Sequence, residues 1–282
     1  MADRHTPPTL FGALRRAVRW PELVLLGVVP VVLIGLFFLP EPTKRALAFS
    51  YVEPTPVTAV TAHFVHFHVG HLLGNVVAFV LLAASGYLFA ALAGTRRFYS
   101  LVVLTYLVAF PPVLSALNLA VPREALTYGF SGINMAMAGI LPLVVTVFVG
   151  QRLLTPVEVD HAPVLFFPVM GAIALFAIPR RTLTLAVAAG ALILTAVYGI
   201  VILRSVGRRR PAERWGPEIR ATGWVEFAAV GVFLTLAYPL FGFPPEPAGG
   251  GTVLNLYVHF LGYSLAFLVP YIALGSGLFG TD

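Results

Sequence analysis

The sequence predicts an all-α polytopic membrane protein, a bundle of about eight transmembrane helices. Of its 282 residues, 59% are hydrophobic and only 11% are charged, whereas a soluble domain carries about a quarter charged residues. The mean hydropathy is +0.90, and apolar runs long enough to cross a bilayer core of about 30 Å recur along the chain. These runs do not alternate residue by residue, as the strands of a membrane barrel do, so we expect helices.

Eight apolar segments account for most of the chain. A basic leader, residues 1–21, precedes the first of them, and we interpret it as a cytoplasmic segment in front of a retained span rather than as a signal peptide. The fifth segment is short and only IPRRT separates it from the sixth, so this pair forms either two spans or a tilted or re-entrant hairpin. The segments lie at residues 22–40, 71–93, 98–121, 129–149, 162–178, 182–203, 222–242 and 252–279.

The basic residues predict the orientation of the bundle. With the N-terminus in the cytoplasm, thirteen arginines fall on the cytoplasmic side and five basic residues on the outer side, the asymmetry typical of membrane proteins. The arginine-rich loop at 204–220 is then a solvated cytoplasmic face, and we expect no nucleic-acid partner. One lysine, seventeen arginines and no cysteine favour a prokaryotic plasma membrane, and the missing cysteines exclude disulfides and thiol chemistry.

Polar side chains are concentrated at the outer ends of three of these segments. The second, fourth and eighth segments all run from outside to inside, so His71, Asn75, Ser131 and His259 fall in the outer third of their helices at similar depth. Polar groups in a bilayer are costly and mark functional sites. The three stretches are HFVHFHVGHLLGN from His63 to Asn75, YGFSGINMAMAG from Tyr128 to Gly139, and YVHFLGYSLAF from Tyr257 to Phe267.

Small residues predict which of these helices touch. Such stripes let membrane helices pack with their backbones close together, which would bring Ser131 towards His259, although the stripes alone favour ordinary helix packing. A serine next to a neutral imidazole is an activated nucleophile, and since no acidic residue lies near His259 in sequence, a dyad is favoured over a triad. The stripes are Gly132, Ala136 and Gly139 on the serine helix, and Gly262 and Ala266 on the histidine helix.

These three stretches resemble the rhomboid family of intramembrane serine proteases. GFSGINMAMAG matches the family's Gly-x-Ser-Gly motif, of which Gly129 is the first glycine; HLLGN matches its His-x-x-x-Asn, and HFLGYSLA its catalytic-histidine helix. The resemblance implies that Ser131 is the nucleophile and His259 the general base. It also implies that His71, Asn75 and the Ser131 backbone N–H bind the oxyanion, and that His66 is structural.

The resemblance further implies the fold and the partners. Residues 22–282 would form a rhomboid-like transmembrane domain, a six-helix core with an extra helical pair within about 150–221. The substrates would be transmembrane proteins cut near the outer face, with membrane lipids as surroundings and neither cofactor nor metal. In this sequence three helices separate the serine helix from the histidine helix, whereas the family's six-helix core has one helix between them. The family's glutamate near the inner end of the second helix and its Trp-Arg pair in the first outer loop are missing.

Other interpretations remain open at the level of sequence. The histidine cluster at 63–71 has spacings that suit a zinc site. The protein is alternatively a non-catalytic rhomboid-like client binder, or a transporter with a histidine proton relay. His63 and His68 are expected at the level of the lipid headgroups, and the segment 241–252 is either a plain turn or a cap with Phe241 or Phe243 over the site. Asn118, Asn134 and Asn255 are expected to make hydrogen bonds between helices.

Overall fold

The computed structural model describes residues 9–121, 123–176, 181–244, 248–249 and 252–276, which form twelve α-helices. The described residues also include three 3-10 turns and two ladders of two-residue strands. The helices are α1 (Leu10–Ala17), α2 (Trp20–Phe37), α3 (Glu41–Leu47), α4 (Pro56–Thr61), α5 (Val69–Leu92), α6 (Arg96–Val108), α7 (Phe110–Asn118), α8 (Ser131–Arg152), α9 (Pro163–Phe176), α10 (Thr182–Arg208), α11 (Trp224–Phe241) and α12 (Leu256–Gly275). The strands are β1 (Phe49–Ser50) paired with β2 (Leu126–Thr127), and β3 (Ala248–Gly249) paired with β4 (Thr252–Val253).

The chain is an integral multi-pass membrane protein. Among the described residues seven helical segments are long and apolar enough to cross a bilayer: α2, α5, α8, α10, α11, α12, and α9 together with the 3-10 turn in front of it. Helices α6 and α7 would add an eighth span, with a bend of 46° between them. These eight segments are the ones that the apolar runs predict.

The bend between α6 and α7 has a local cause in the sequence. Pro111 and Pro112 occupy the first turn of α7, and proline has no N–H to donate to the carbonyl four residues earlier. The helical hydrogen-bond ladder is therefore interrupted there, and α6 ends at Val108. The apolar run at 98–121 predicts one span, but it does not reveal the break.

Helix α8 forms the centre of the bundle. In its span 89% of the residues are buried, against 11% in α2 and in α10, and it packs against α5, α11 and α12. Lipid tails are as apolar as leucine, so close backbone approach and hydrogen bonds hold such a bundle together. The side chain at the start of α8 therefore lies among several helices.

Helices α5, α8 and α12 run parallel and begin at the same end of the bundle. At that end an added Cβ on Gly129, just before α8, would meet the ring of His71. At the other end Arg152 donates two hydrogen bonds, of 2.8 and 2.6 Å, to the Leu92 carbonyl, where α5 ends. The common direction agrees with the depth argument from the sequence.

A buried carboxylate closes the opposite end of the bundle. Glu218, in the loop between α10 and α11, pairs with Arg152 at 3.0 Å and is only 4% exposed. The loop is in close backbone contact with α8, since a Cβ on Gly216 would lie 2.1 Å from the Arg152 carbonyl oxygen. The loop thus supplies an acidic group where α5 and α8 end.

The predicted pair at 162–178 and 182–203 forms two antiparallel helices, joined by a short connection, at the side of the bundle. α9 has 14 residues and contacts α8, α10 and α11, whereas α10 has 27 residues and is mostly exposed. At 1.5 Å per residue, α10 is roughly 40 Å long, enough to cross a bilayer. Residues 177–180, all but the last residue of their connection, lie outside the described residues.

Candidate active site

The segment that delivers Ser131 to the start of α8 is anchored at three points. Strand β2 pairs with β1 from the first outer loop. The Gly129 N–H donates to the Ala62 carbonyl at 2.9 Å. The Phe130 N–H donates to Nε2 of His66 at 3.4 Å. Ser131 therefore follows a loop whose backbone is held up to the residue before the helix start.

Gly129 has two reasons to be glycine. Its φ is +105°, a left-handed conformation that a residue with a Cβ adopts only at a cost. An added Cβ would also lie 2.5 Å from Cε1 of His71. The first glycine of the Gly-x-Ser-Gly stretch thus permits the turn and the close approach of a histidine ring.

His66 accepts the hydrogen bond that holds this loop at Phe130. It is fully buried, and because a backbone N–H donates to its Nε2, the ring proton sits on Nδ1. Burial, with a smaller contribution from the neighbouring His71, lowers the pKa of His66 to about 4. A neutral His66 packs edge-on against His71, with 5.0 Å between ring centroids.

His259 lies in the first turn of α12 and is 3% exposed. Its Nδ1 is 2.7 Å from the carbonyl oxygen of Gly242, just after α11. A carbonyl only accepts hydrogen bonds, so Nδ1 carries the proton and Nε2 has a free lone pair. This is the tautomer that a general base for a serine hydroxyl requires.

Backbone contacts between α8 and α12 bring the serine and histidine helices together. A Cβ on Gly132 would lie 2.6 Å from the Val258 side chain, and a Cβ on Gly262 would lie 2.2 Å from the Gly132 carbonyl oxygen. Two turns further along α8 and one turn further along α12, a Cβ on Gly139 would lie 2.9 Å from Cβ of Ala266. The two stripes of small residues face each other; Ala136, between the two glycines of the first stripe, is fully buried.

Two residues of α5 lie beside the start of α8. His71 faces Gly129 and is near enough to His259 for an electrostatic interaction. Asn75 is 4% exposed, and its Nδ2 donates to the His71 carbonyl at 2.9 Å. Its Oδ1 accepts from Nδ2 of Asn134 on α8 at 2.9 Å. Asn134 thereby makes the interhelical hydrogen bond expected of it and orients Asn75.

The half-buried Ser131 has unused hydrogen-bonding groups. In the part of the chain that the structure describes, no residue accepts a hydrogen bond from its backbone N–H or bonds its hydroxyl. Likewise no described residue bonds Nε2 of His259. The hydrogen bond between serine and histidine is thus not formed in this state; catalytic hydrogen bonds are often long without substrate.

The remaining histidines of the cluster differ from one another. His68 is exposed, whereas His63 is 6% exposed and its Nε2 lies 3.0 Å from Oγ of Ser115 on α7. Their expected depth at the lipid headgroups stays a prediction. Across the described ranges, no three His, Cys, Asp or Glu side chains are grouped to hold a metal ion.

The predicted cap contributes one described aromatic residue. Phe243 is 4% exposed and meets the ring of His259 edge-on, with centroids 6.1 Å apart, whereas Phe241 is 80% exposed. Residues 245–247 and 250–251 of the same segment lie outside the described residues.

An open pocket of about 420 Å³ lies between α3 and the loop ahead of Ser131. Its wall includes Tyr128, whose ring is 5.9 Å from that of His71, and both charges of the Arg45–Glu41 pair. Lys44 also lines it and donates to the Phe37 carbonyl at 3.3 Å. The loop between α2 and α5 thus forms a polar rim next to the candidate site.

Two residues next to His259 have no signal in the sequence. Gly242 acts through its carbonyl, which every residue type carries. Met135 is a buried apolar side chain, and its Sδ would be 2.7 Å from a Cβ on Gly242. By contrast, the hydrogen bond between helices expected of Asn118 and Asn255 is confirmed: Nδ2 of Asn255, at the start of α12, donates to Oδ1 of Asn118 on α7 at 3.2 Å.

The fold and the site together define a class, a multi-pass membrane protein in which a serine begins the central helix and a buried histidine lies on the helix packed beside it. The model of the Rhomboid domain matches residues 54–209, more than half of the chain, and the chain belongs to the rhomboid family. The match contains α5 and Ser131 and ends before α11 and α12. The family includes intramembrane serine proteases and non-catalytic members. Neither the curated proteins nor the solved structures compared with the chain include a match.

Proposed function

We propose that the protein is an intramembrane serine endopeptidase that cleaves transmembrane proteins near the outer membrane face. The observation that carries the proposal is the hydrogen bonding of His259: its Nδ1 lies against a carbonyl and no described residue bonds its Nε2, on a helix packed against the start of the serine helix.

In the proposed reaction Ser131 is the nucleophile and His259 the general base. As Oγ attacks the scissile carbonyl carbon, its proton passes to Nε2 and a tetrahedral oxyanion forms. The protonated imidazole then donates to the leaving amine, and the acyl-enzyme is released by water through the same steps in reverse order.

The proposed oxyanion site consists of groups whose hydrogen bonds are available. The Ser131 N–H belongs to the first turn of α8, where backbone donors have no intrahelical acceptor. Asn75 has a second N–H on Nδ2 that no described residue accepts, and His71 borders the same loop. Each donor aimed at a developing oxyanion contributes roughly 10²–10³ in rate.

The substrates proposed are membrane-spanning helices. The substrate helix must unwind around the scissile peptide bond before its carbonyl reaches Ser131. Small or helix-destabilising residues near the outer face therefore favour cleavage. The distribution of arginines between the loops supports a cytoplasmic N-terminus, and the single lysine, seventeen arginines and missing cysteines support a prokaryotic plasma membrane. Residues 22–282 would then be the catalytic transmembrane domain, with residues 1–21 in front of it.

The test is cleavage in reconstituted membranes. Purified protein in liposomes is given a labelled single-span substrate, and wild type is compared with Ser131→Ala and His259→Ala. Ser276→Ala and His68→Ala, at exposed positions, are the matched controls. Cleavage by wild type and controls alone supports the dyad, and the new terminus of the product locates the cut relative to the membrane.

Equal cleavage by all five proteins would exclude Ser131 as the nucleophile. If no protein cleaves any of a panel of single-span substrates or reacts with a fluorophosphonate, the non-catalytic client binder becomes the better account. That alternative belongs to the same family, but it gives no reason for the chain to keep a serine and an oriented histidine on packed helices.

A further inference from the structure

The general base proposed above has no acidic partner. In the described part of the chain no carboxylate bonds His259, and the only hydrogen bond of its ring is to the Gly242 carbonyl at 2.7 Å. In a triad the carboxylate holds the imidazole in one tautomer and orientation, and losing the tautomer costs about 10⁴ in rate. Some other group must do this here.

The end of α11 holds the Gly242 carbonyl rigidly. The Gly242 N–H donates to the Pro239 carbonyl and the Phe243 N–H to the Leu240 carbonyl, both at 3.0 Å. The carbonyl between these two N–H groups is therefore held by a hydrogen-bonded turn. Phe243 also packs edge-on against the imidazole, with ring centroids 6.1 Å apart.

The absence of a side chain at position 242 also has a reason. An added Cβ would lie 2.7 Å from Sδ of Met135 and 3.3 Å from Nδ1 of His259. Glycine thus lets the backbone approach the imidazole closely enough for a short hydrogen bond. The φ of Gly242 is −75°, so contact with its neighbours, and not the conformation, requires glycine.

We propose that the Gly242 carbonyl is the positioning group of the general base, in the place that a carboxylate takes in a triad. The proposal rests on the proposed function. It gives α11 a role in catalysis, since the acceptor belongs to the connection between α11 and α12 rather than to the histidine's own helix. A movement of the end of α11 away from α12 breaks this bond and leaves the imidazole without a fixed tautomer.

A backbone ester tests the carbonyl without changing any side chain. Replacing Phe243 by its α-hydroxy acid analogue turns the Gly242 carbonyl from an amide into an ester, a weaker acceptor, and removes the Phe243 N–H. Replacing Gly242 by glycolic acid is the matched control: it removes the other N–H of the same turn but leaves the Gly242 carbonyl an amide.

The readouts are the rate of fluorophosphonate labelling of Ser131 and the separate values of kcat and KM. The ester after Gly242 is expected to lower labelling and kcat about tenfold with KM unchanged, which is the effect of weakening one hydrogen bond. The control ester loosens the same turn but leaves the acceptor an amide, so it is expected to lower labelling and kcat by clearly less than the ester after Gly242. Equal losses in both esters would mean that only the turn matters, and the proposal would be wrong.

Two further observations keep the test independent of folding and of the proposed function. Nitrogen NMR of the wild-type protein, with the signal assigned through His259→Ala, should show a protonated Nδ1 and an unprotonated Nε2; the reverse assignment would overturn the proposal even if both esters misfold. If wild type itself neither labels nor cleaves, the proposed function fails, and the role of Gly242 in catalysis fails with it. If the wild type is active and neither ester changes its activity, only the proposed role of the Gly242 carbonyl is excluded and the proposed function stands.

Discussion

The contact between α8 and α12 allows a quantitative prediction for Gly262→Ala. A Cβ at position 262 would lie 2.2 Å from the Gly132 carbonyl oxygen, whereas carbon and carbonyl oxygen approach no closer than about 3.3 Å. Because that oxygen belongs to the backbone of α8, the two helices must separate by about 1 Å. A displacement of 1 Å in a catalytic pair costs about 10²-fold in rate.

The assay is fluorophosphonate labelling of Ser131 in liposomes, together with a melting curve. Gly262→Ala is expected to label about 10²-fold more slowly and to be destabilised by about 1–3 kcal/mol, as for other overpacked cores. The control is Gly190→Ala on α10, where a Cβ would meet nothing within 4 Å. It should label normally and melt at the same or a slightly higher temperature. If Gly262→Ala labels and melts like wild type, the helices are not in backbone contact and the argument for the dyad loses its basis.

Three further predictions follow from the same structure. Glu218→Gln, which weakens the buried ion pair at the inner end, should cost about 1–3 kcal/mol and lower the melting temperature, whereas Glu213→Gln at an exposed position should not. Burial lowers the pKa of His63 from 6.5 to about 4, so the unfolded chain binds more protons in this window. The contribution of a neutral, buried His63 to the free energy of unfolding should therefore be fully present above about pH 6.5, and it should fall towards pH 4 by up to about 1.4 kcal/mol per pH unit. His63→Gln should reduce this dependence of stability on pH, measured as the difference between melting curves at pH 7 and pH 5. An unchanged difference would contradict the assignment to His63. Asn134→Ala removes the partner of Asn75 Oδ1 and should lower kcat about tenfold with KM unchanged; normal kinetics would mean that Asn75 is not a positioned oxyanion donor.

The helices were predictable because the bilayer imposes a simple rule on the sequence. Uninterrupted apolar length predicts all eight segments, and glycine spacing predicts the facing stripes of α8 and α12. The common direction of α5, α8 and α12 follows from counting spans. These features depend on chain composition and periodicity, which the sequence contains directly.

Other parts of the site depend on the path of the backbone. The Gly242 carbonyl is chemically the same as any other, so only its position next to His259 distinguishes it. His63 is polar and lies in the outer loop, and only the packing of α4 on α7 places it inside the protein beside Ser115. Glu218 reaches the inner end of α8 from a loop that the sequence identifies only as basic and solvated.

The most direct test of the account is to map the fluorophosphonate adduct by mass spectrometry of the labelled protein. The account predicts one adduct, on Ser131, that is absent from Ser131→Ala and strongly reduced in His259→Ala. An adduct on another residue, or labelling of Ser131 at the wild-type rate in His259→Ala, would contradict the claim that these two side chains form the catalytic dyad.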